Sequence, residues 1–170
     1  MILIKNEKFL RRPSHLVAPE EKDALVALLK EGIASYPGVG LSAVQVGVLK
    51  RAFIILSNDS NKEYQKYYTF VNPTIIGNSE EVGVDGEQVE AIEGCLSFPG
   101  EWRLVKRWSM IRGTDDVNGE FILMGLEART FQHEFDHLDG VLFFDKGRKV
   151  PHGYVEMSYE ESNKKIEQNV

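Results

Sequence analysis

The segment His133-Glu-Phe-Asp-His137 constrains this chain more than any other five residues. On a helix, histidines four positions apart share a face and lie one turn from each other. Both imidazoles can then reach a single metal ion, and the carboxyl of Glu134 sits beside that face, able to hold a proton next to the ion. The surrounding pattern is helical from about Gly125 to Asp139. Ala128, Phe131, Phe135 and Leu138 fall on one apolar face, and Gly140 is a good C-terminal stop. The plainer reading, two surface histidines and a solvated glutamate, loses ground if the chain supplies a third ligand.

Cys95 is that candidate. It stands in Ile92-Glu-Gly-Cys-Leu-Ser-Phe-Pro99 and is the only cysteine of the chain. A lone cysteine is most often a small buried hydrophobe. Beside a two-histidine helix the balance turns, because a thiolate and two imidazoles leave one tetrahedral position open, the layout of a catalytic site. With one cysteine no intramolecular disulfide can form, which points to a reducing compartment. The other histidines, His15 and His152, lie in polar surroundings and are expected at the surface.

Composition narrows the class. A chain of 170 residues with 42% hydrophobic residues can bury one core as one domain. Its 20 basic and 26 acidic residues give a net charge of −6, which argues against direct nucleic-acid binding. No apolar run approaches the 18 or so residues a membrane helix needs. The opening Met1-Ile-Leu-Ile-Lys-Asn-Glu-Lys8 lacks the apolar region of a signal peptide. A cytoplasmic monomer that touches no membrane is expected.

The order of elements can be read coarsely. Residues 20–35 form a helix: Pro19 suits its first position, Glu20 and Glu21 its positive end, and Leu25, Leu28, Leu29 and Ile33 its apolar stripe. Ala52–Leu56 reads as a buried strand, 57–66 as a polar loop, and Tyr67–Val71 as a strand closed by Asn72-Pro73. Residues 77–90 look like an exposed acidic insertion. Trp108–Arg112 and Phe121–Met124 flank a hairpin signal, Gly113-Thr-Asp-Asp-Val-Asn-Gly119. From Pro151 the tail is polar, so 1–150 is expected as the catalytic domain and 151–170 as a short helix or a frayed end. The sum is an α+β fold, a mostly antiparallel sheet packed around the helix that carries the metal motif.

A third segment is Gly38-Val-Gly-Leu-Ser-Ala-Val-Gln45. No P-loop lysine follows, and the glycine spacing does not fit a dinucleotide fingerprint. It reads either as a tight turn after the first helix or as a backbone-rich wall that sets the amide of Gln45 beside a reacting carbonyl.

Taken together and in this order, the three segments resemble peptide deformylase. The motifs of that family are G-x-G-L-A-A-x-Q, E-G-C-L-S and Q-H-E-x-D-H-L-x-G. Here they stand as Gly38-Val-Gly-Leu-Ser-Ala-Val-Gln45, Glu93-Gly-Cys-Leu-Ser97 and Gln132-His-Glu-Phe-Asp-His-Leu-Asp-Gly140. The last two match at every specified position. In the first, Ser42 replaces an alanine.

The resemblance implies hydrolysis of the N-formyl group of formyl-methionine on nascent polypeptides, releasing formate, with transient contact to the ribosome. It implies a metal held by Cys95, His133 and His137, with Fe2+ expected and Zn2+, Ni2+ or Co2+ accepted, since thiolate and imidazole suit all four. Glu134 would move the proton. Gln45 and the backbone N–H of Leu96 would stabilise the oxyanion. Val39, Leu126 and Thr130 would line a methionine pocket, and the peptide would pair along Val39-Gly40 and the segment around Glu93. Arg107 matches an arginine of the family, open either to an ion pair with Asp136 or to the substrate.

Two other functions compete. A zinc metallopeptidase shares the HExxH pattern and would need a later ligand such as Asp145, but it leaves Glu-Gly-Cys-Leu-Ser unexplained. A metal-stabilised module that binds nascent chains or ribosomes without catalysis would have no need of Glu134 or Gln45.

Overall fold

The computed structural model describes residues 2–57, 67–78 and 88–150. Among these, the helices are α1 (Glu7–Leu10), α2 (Lys22–Ala34), α3 (Gly125–Leu138) and α4 (Phe143–Lys146). The strands are β1 (Gly40–Ser42), β2 (Ala52–Leu56), β3 (Tyr67–Val71), β4 (Thr74–Asn78), β5 (Gln88–Cys95), β6 (Phe98–Trp108), β7 (Met110–Asp115), β8 (Gly119–Met124) and β9 (Gly147–Lys149). They form three sheets, β1-β2-β3, β4-β7-β8 and β5-β6-β9, and all the ladders are antiparallel. The α+β class read from the sequence is seen, but as three small sheets rather than one.

The first helix follows its signals. Pro19 opens a 3-10 turn over Pro19–Glu21, and Glu21 Oε2 accepts the Ala18 N–H at 2.8 Å before α2 begins at Lys22. Leu25, Leu29 and Ile33 are buried against Leu41, Ile54 and Val71 of the first sheet.

Two sequence expectations need correction. Trp108–Arg112 is not one strand: Trp108 ends β6 and Met110 begins β7, with Ser109 between them. The acidic segment is narrower than 77–90, since Gly77 and Asn78 end β4 while Gln88, Val89 and Glu90 begin β5. Residues 79–87, most of the expected 57–66 loop, the tail from 151 and His152 lie outside the described residues.

Helix α3 holds the centre and touches strands of every sheet: β1, β2, β6, β7 and β8. The apolar face expected from the sequence anchors it. Phe131, fully buried, meets Phe53 and Phe70 edge-on with centroids 4.9 Å away in each case. Ala128 and Leu138 are buried in the same cluster, with Phe135 packed against it. Removing a buried phenylalanine of this kind costs about 3–5 kcal/mol.

The helix ends where Gly140 takes φ +70°, and a Cβ there would lie 2.2 Å from the Arg11 carbonyl oxygen. Only glycine serves at that stop. With one face fixed this firmly, the opposite face, carrying Thr130, His133, Glu134 and His137, has a defined direction.

Candidate metal centre

Three elements bring the site together. His133 and His137 come from α3, and Cys95 from the end of β5, where Leu96-Ser97 turns the chain into β6. The β5/β6 register shifts between Glu93 and Cys95, so β6 bulges out over 99–102 while Cys95 is drawn back to pair with Phe98. Bulges of this kind re-aim side chains beside sites. The potential ligand atoms of Cys95, His133 and His137 all lie within 4.8 Å of one another. Cys95 Sγ is 3.4 Å from His137 Nε2. An edge of a tetrahedron with metal–sulfur and metal–nitrogen bonds of ordinary length measures about 3.5 Å, so this pair fits a shared ion.

The histidines are prepared for it. His133 Nδ1 lies 3.1 Å from Glu93 Oε2, which fixes the ring with Nε2 facing the cysteine side. Burial alone would lower the His133 value, but hydrogen bonds to Cys95 and Glu93 and the charge of Glu134 raise it to about 10. The same negative groups that hold a proton there would hold a cation in its place. His137 is driven the other way, well below its ordinary value, by burial and by the charges of His133 and Arg107. A neutral imidazole keeps the lone pair that a metal needs.

Glu93 itself is buried and gathers three partners. Arg107 Nη2 is 2.9 Å from Oε2, and Arg129 Nη1 is 2.7 Å from Oε1. Arg107 also reaches Asp136 Oδ2 at 2.5 Å, and Lys146 reaches Asp136 Oδ1 at 2.6 Å. The two readings left open for Arg107 are thereby decided: with 3% of its side chain exposed, it ties β6 to α3 and does not face a substrate. Gln132 makes the second tie, its amide exchanging hydrogen bonds with the N–H and C=O of Trp108 at the β6–β7 break.

Glu134 is almost wholly buried, and its Oε2 has no hydrogen-bond partner among the described residues. Burial raises its pKa to about 7, with the Glu93 charge adding and the charges of His133 and Arg107 opposing. A carboxyl near that value can take and give a proton at neutral pH. A Cβ on Gly40 would lie 2.5 Å from Glu134 Oε1 and 2.8 Å from Thr130 Cγ2. Glycine at 40 is therefore what lets β1 pass this close to the helix.

A cavity of about 410 Å³ opens beside these groups. Val39, Gly40, Gln45, Glu93, Cys95, Leu96, Leu126, Thr130, His133 and Glu134 all line it. The sequence thus anticipated half of the lining residues. Gln45 is buried, with Nε2 3.4 Å from Cys95 Sγ and 3.3 Å from Ser97 Oγ. The Glu93 carboxylate is taken by Arg107, Arg129 and His133, which leaves its backbone, the part expected to pair with a peptide, to meet a ligand.

Asp145, the later ligand of the peptidase reading, instead pairs with Arg11 at 2.8 Å and caps the Leu142 N–H at 2.9 Å. His15 is exposed, as expected. Sequence reasoning missed Ser97, Trp102 and Arg129. Arg129 had only a charge on a helix to signal it, and Trp102 only its size.

The sequence model of the polypeptide deformylase family matches residues 1–151. The chain belongs to that family. Peptide deformylase 1 of Clostridium perfringens is 40% identical over 147 residues, covering 82% of this chain and 92% of its own length. Peptide deformylase of Pelagibacter ubique is 38% identical over 152 residues, 85% of this chain and 83% of its own. Solved deformylase structures share the fold. A probable peptide deformylase from Synechococcus phage S-SSM7 superposes with a TM-score of 0.74 at 34% identity, over 86% of this chain and 98% of its own. The Plasmodium falciparum enzyme gives 0.75 at 33% identity, over 99% and 98%.

Proposed function

We propose that this site hydrolyses the formamide bond of N-terminal formyl-methionine, releasing formate and a free amine. Membership of the deformylase family carries the activity. The observation that carries the residue assignment is the Cys95–His133–His137 group beside a buried, unpartnered Glu134 oxygen.

Cys95, His133 and His137 would hold a divalent ion, which would supply Lewis acidity beside the attacking water and the formyl carbonyl. The remaining work falls to side chains. Glu134 takes a proton from the attacking water and gives one to the leaving nitrogen, a role suited to its value of about 7. Gln45 Nε2 and the Leu96 N–H donate to the oxygen on which charge develops. Iron(II) is the proposed resident metal, with zinc, nickel and cobalt compatible with one thiolate and two imidazoles.

Two open sheet edges suit a peptide. Strands β1 and β5 are both edge strands, and both border the cavity. The Leu56 N–H donates to the Val39 carbonyl at 2.8 Å, so Val39 and Leu56 are a hydrogen-bonded pair and the polar groups of Gly40 point away from β2. A substrate strand adding there reads main chain rather than sequence. Val39, Leu126 and Thr130 form the apolar wall for methionine, and Val39 and Leu126 are about half exposed.

The ribosome as transient partner, a monomeric state and a cytoplasmic location complete the proposal, with 1–150 as catalytic domain and 151–170 as a polar tail. Among the described residues no helix is long and apolar enough to cross a membrane. The test is incubation of the iron-loaded protein, without oxygen, with formyl-Met-Ala and with unformylated Met-Ala-Ser. Formate release from the first and no peptide-bond cleavage in the second are expected. Cleavage of the second without formate from the first would instead establish a metallopeptidase.

A further inference from the structure

Ser42 is fully buried, two residues after Gly40 and one residue before the 3-10 turn (Ala43–Val46) that carries Gln45. Its backbone N–H donates to Gln45 Oε1 at 2.8 Å, and its hydroxyl oxygen is 3.3 Å from the same atom. The two donors converge on one end of the Gln45 amide. The other end, Nε2, faces Cys95 Sγ and Ser97 Oγ. We propose that Ser42 is a positioning residue whose hydroxyl, donating to Gln45 Oε1, holds and polarises the amide so that Nε2 presents its hydrogens to the reacting carbonyl. The proposal rests on the assignment of Gln45 as an oxyanion donor.

The physical case has two parts. A glutamine amide can rotate by half a turn at little cost unless its ends are told apart by their neighbours. Here a flip would set the NH2 group against the Ser42 backbone N–H, force the hydroxyl to turn and accept, and bring the amide oxygen against a sulfur that would be anionic with a metal bound. Moreover, a hydrogen bond accepted at an amide oxygen draws charge from the nitrogen and strengthens its N–H groups as donors. An alanine at 42 would keep the backbone half of this arrangement and lose the hydroxyl half.

The test is a double-mutant cycle of Ser42→Ala and Gln45→Leu at matched zinc loading, reading kcat and KM for formyl-Met-Ala. Alone, Ser42→Ala should lower kcat about two- to tenfold, the effect of one modest hydrogen bond, with KM unchanged. In the Gln45→Leu background the same substitution should change kcat by less than the error. The Gln45 side-chain amide nitrogen in 15N-labelled protein should also move upfield in Ser42→Ala, as its oxygen loses a donor. An equal loss of kcat in both backgrounds would make Ser42 merely structural and overturn the proposal, as would no loss in either. If Gln45→Leu alone leaves kcat unchanged, the assignment of Gln45 is what fails, and the role of Ser42 falls with it.

Discussion

Glu93 Oε2 lies 3.1 Å from His133 Nδ1 and 2.9 Å from Arg107 Nη2, so one buried carboxylate both orients a candidate metal-ligating imidazole and neutralises a buried guanidinium. The candidate metal site and the β6–α3 packing therefore share an anchor. Replacing it should show in both.

Glu93→Gln is expected to weaken metal binding about 10- to 100-fold, the usual effect of losing the partner behind a ligating histidine. Stability should fall as well, by about 3 kcal/mol, because Arg107 is left with Asp136 as its one carboxylate partner in a buried place. Competition with a chelator gives the first quantity and urea unfolding of the metal-free protein the second. An unchanged metal affinity would mean that Glu93 does not orient His133.

Stability should also follow the ionisation of Glu93. Burial pushes its pKa up, but hydrogen bonds and charge from His133 and Arg107 outweigh this and hold it at about 2, below the ordinary 4.5. A carboxyl lowered on folding contributes fully above its unfolded value and less as pH falls toward its folded value. The metal-free protein should therefore lose stability as pH drops from about 4.5 toward 2. The urea midpoint followed from pH 7 to pH 3 should show this decline, with a flatter curve in Glu93→Gln. Parallel curves would remove Glu93 from the acid response.

The wall of Val39, Leu126 and Thr130 predicts selection at the first residue of the substrate. A methionine side chain loses apolar burial at about 0.8 kcal/mol per methylene when shortened. Formyl-Ala-Ala should then show a kcat/KM at least tenfold below that of formyl-Met-Ala, while formyl-Met-Lys stays close to formyl-Met-Ala. Equal values for the first pair would remove the methionine pocket. A wide gap between formyl-Met-Ala and formyl-Met-Lys would argue against main-chain docking along Gly40.

Much of this was legible before the fold. The 3.6-residue period around Phe131 marked α3, and the two histidines and Glu134 came with it on the other face. The strands β5 and β6 were not legible. Their glycines, Pro99 and exposed charges hide the period of two, and their stability comes from pairing with each other and from the Arg107 bridge to α3. Strand β1 was legible only as either a turn or a backbone-rich wall, because its Gly40 is there to admit Glu134, a contact with a residue far along the chain. The ionic role of Glu93 was not legible, since only the fold shows Arg107, Arg129 and His133 converging on its carboxylate.

Formate release by the proposed mechanism depends most on Glu134 as the group that would move the proton beside an ion held by Cys95, His133 and His137. Glu134→Gln keeps the shape of the side chain and removes its basicity. The decisive measurement is kcat for formate release from formyl-Met-Ala by this variant, with metal content determined on the same sample. The account predicts a full complement of metal and a kcat reduced by about 10²–10⁴. A fully loaded variant that releases formate at the unmodified rate would contradict it.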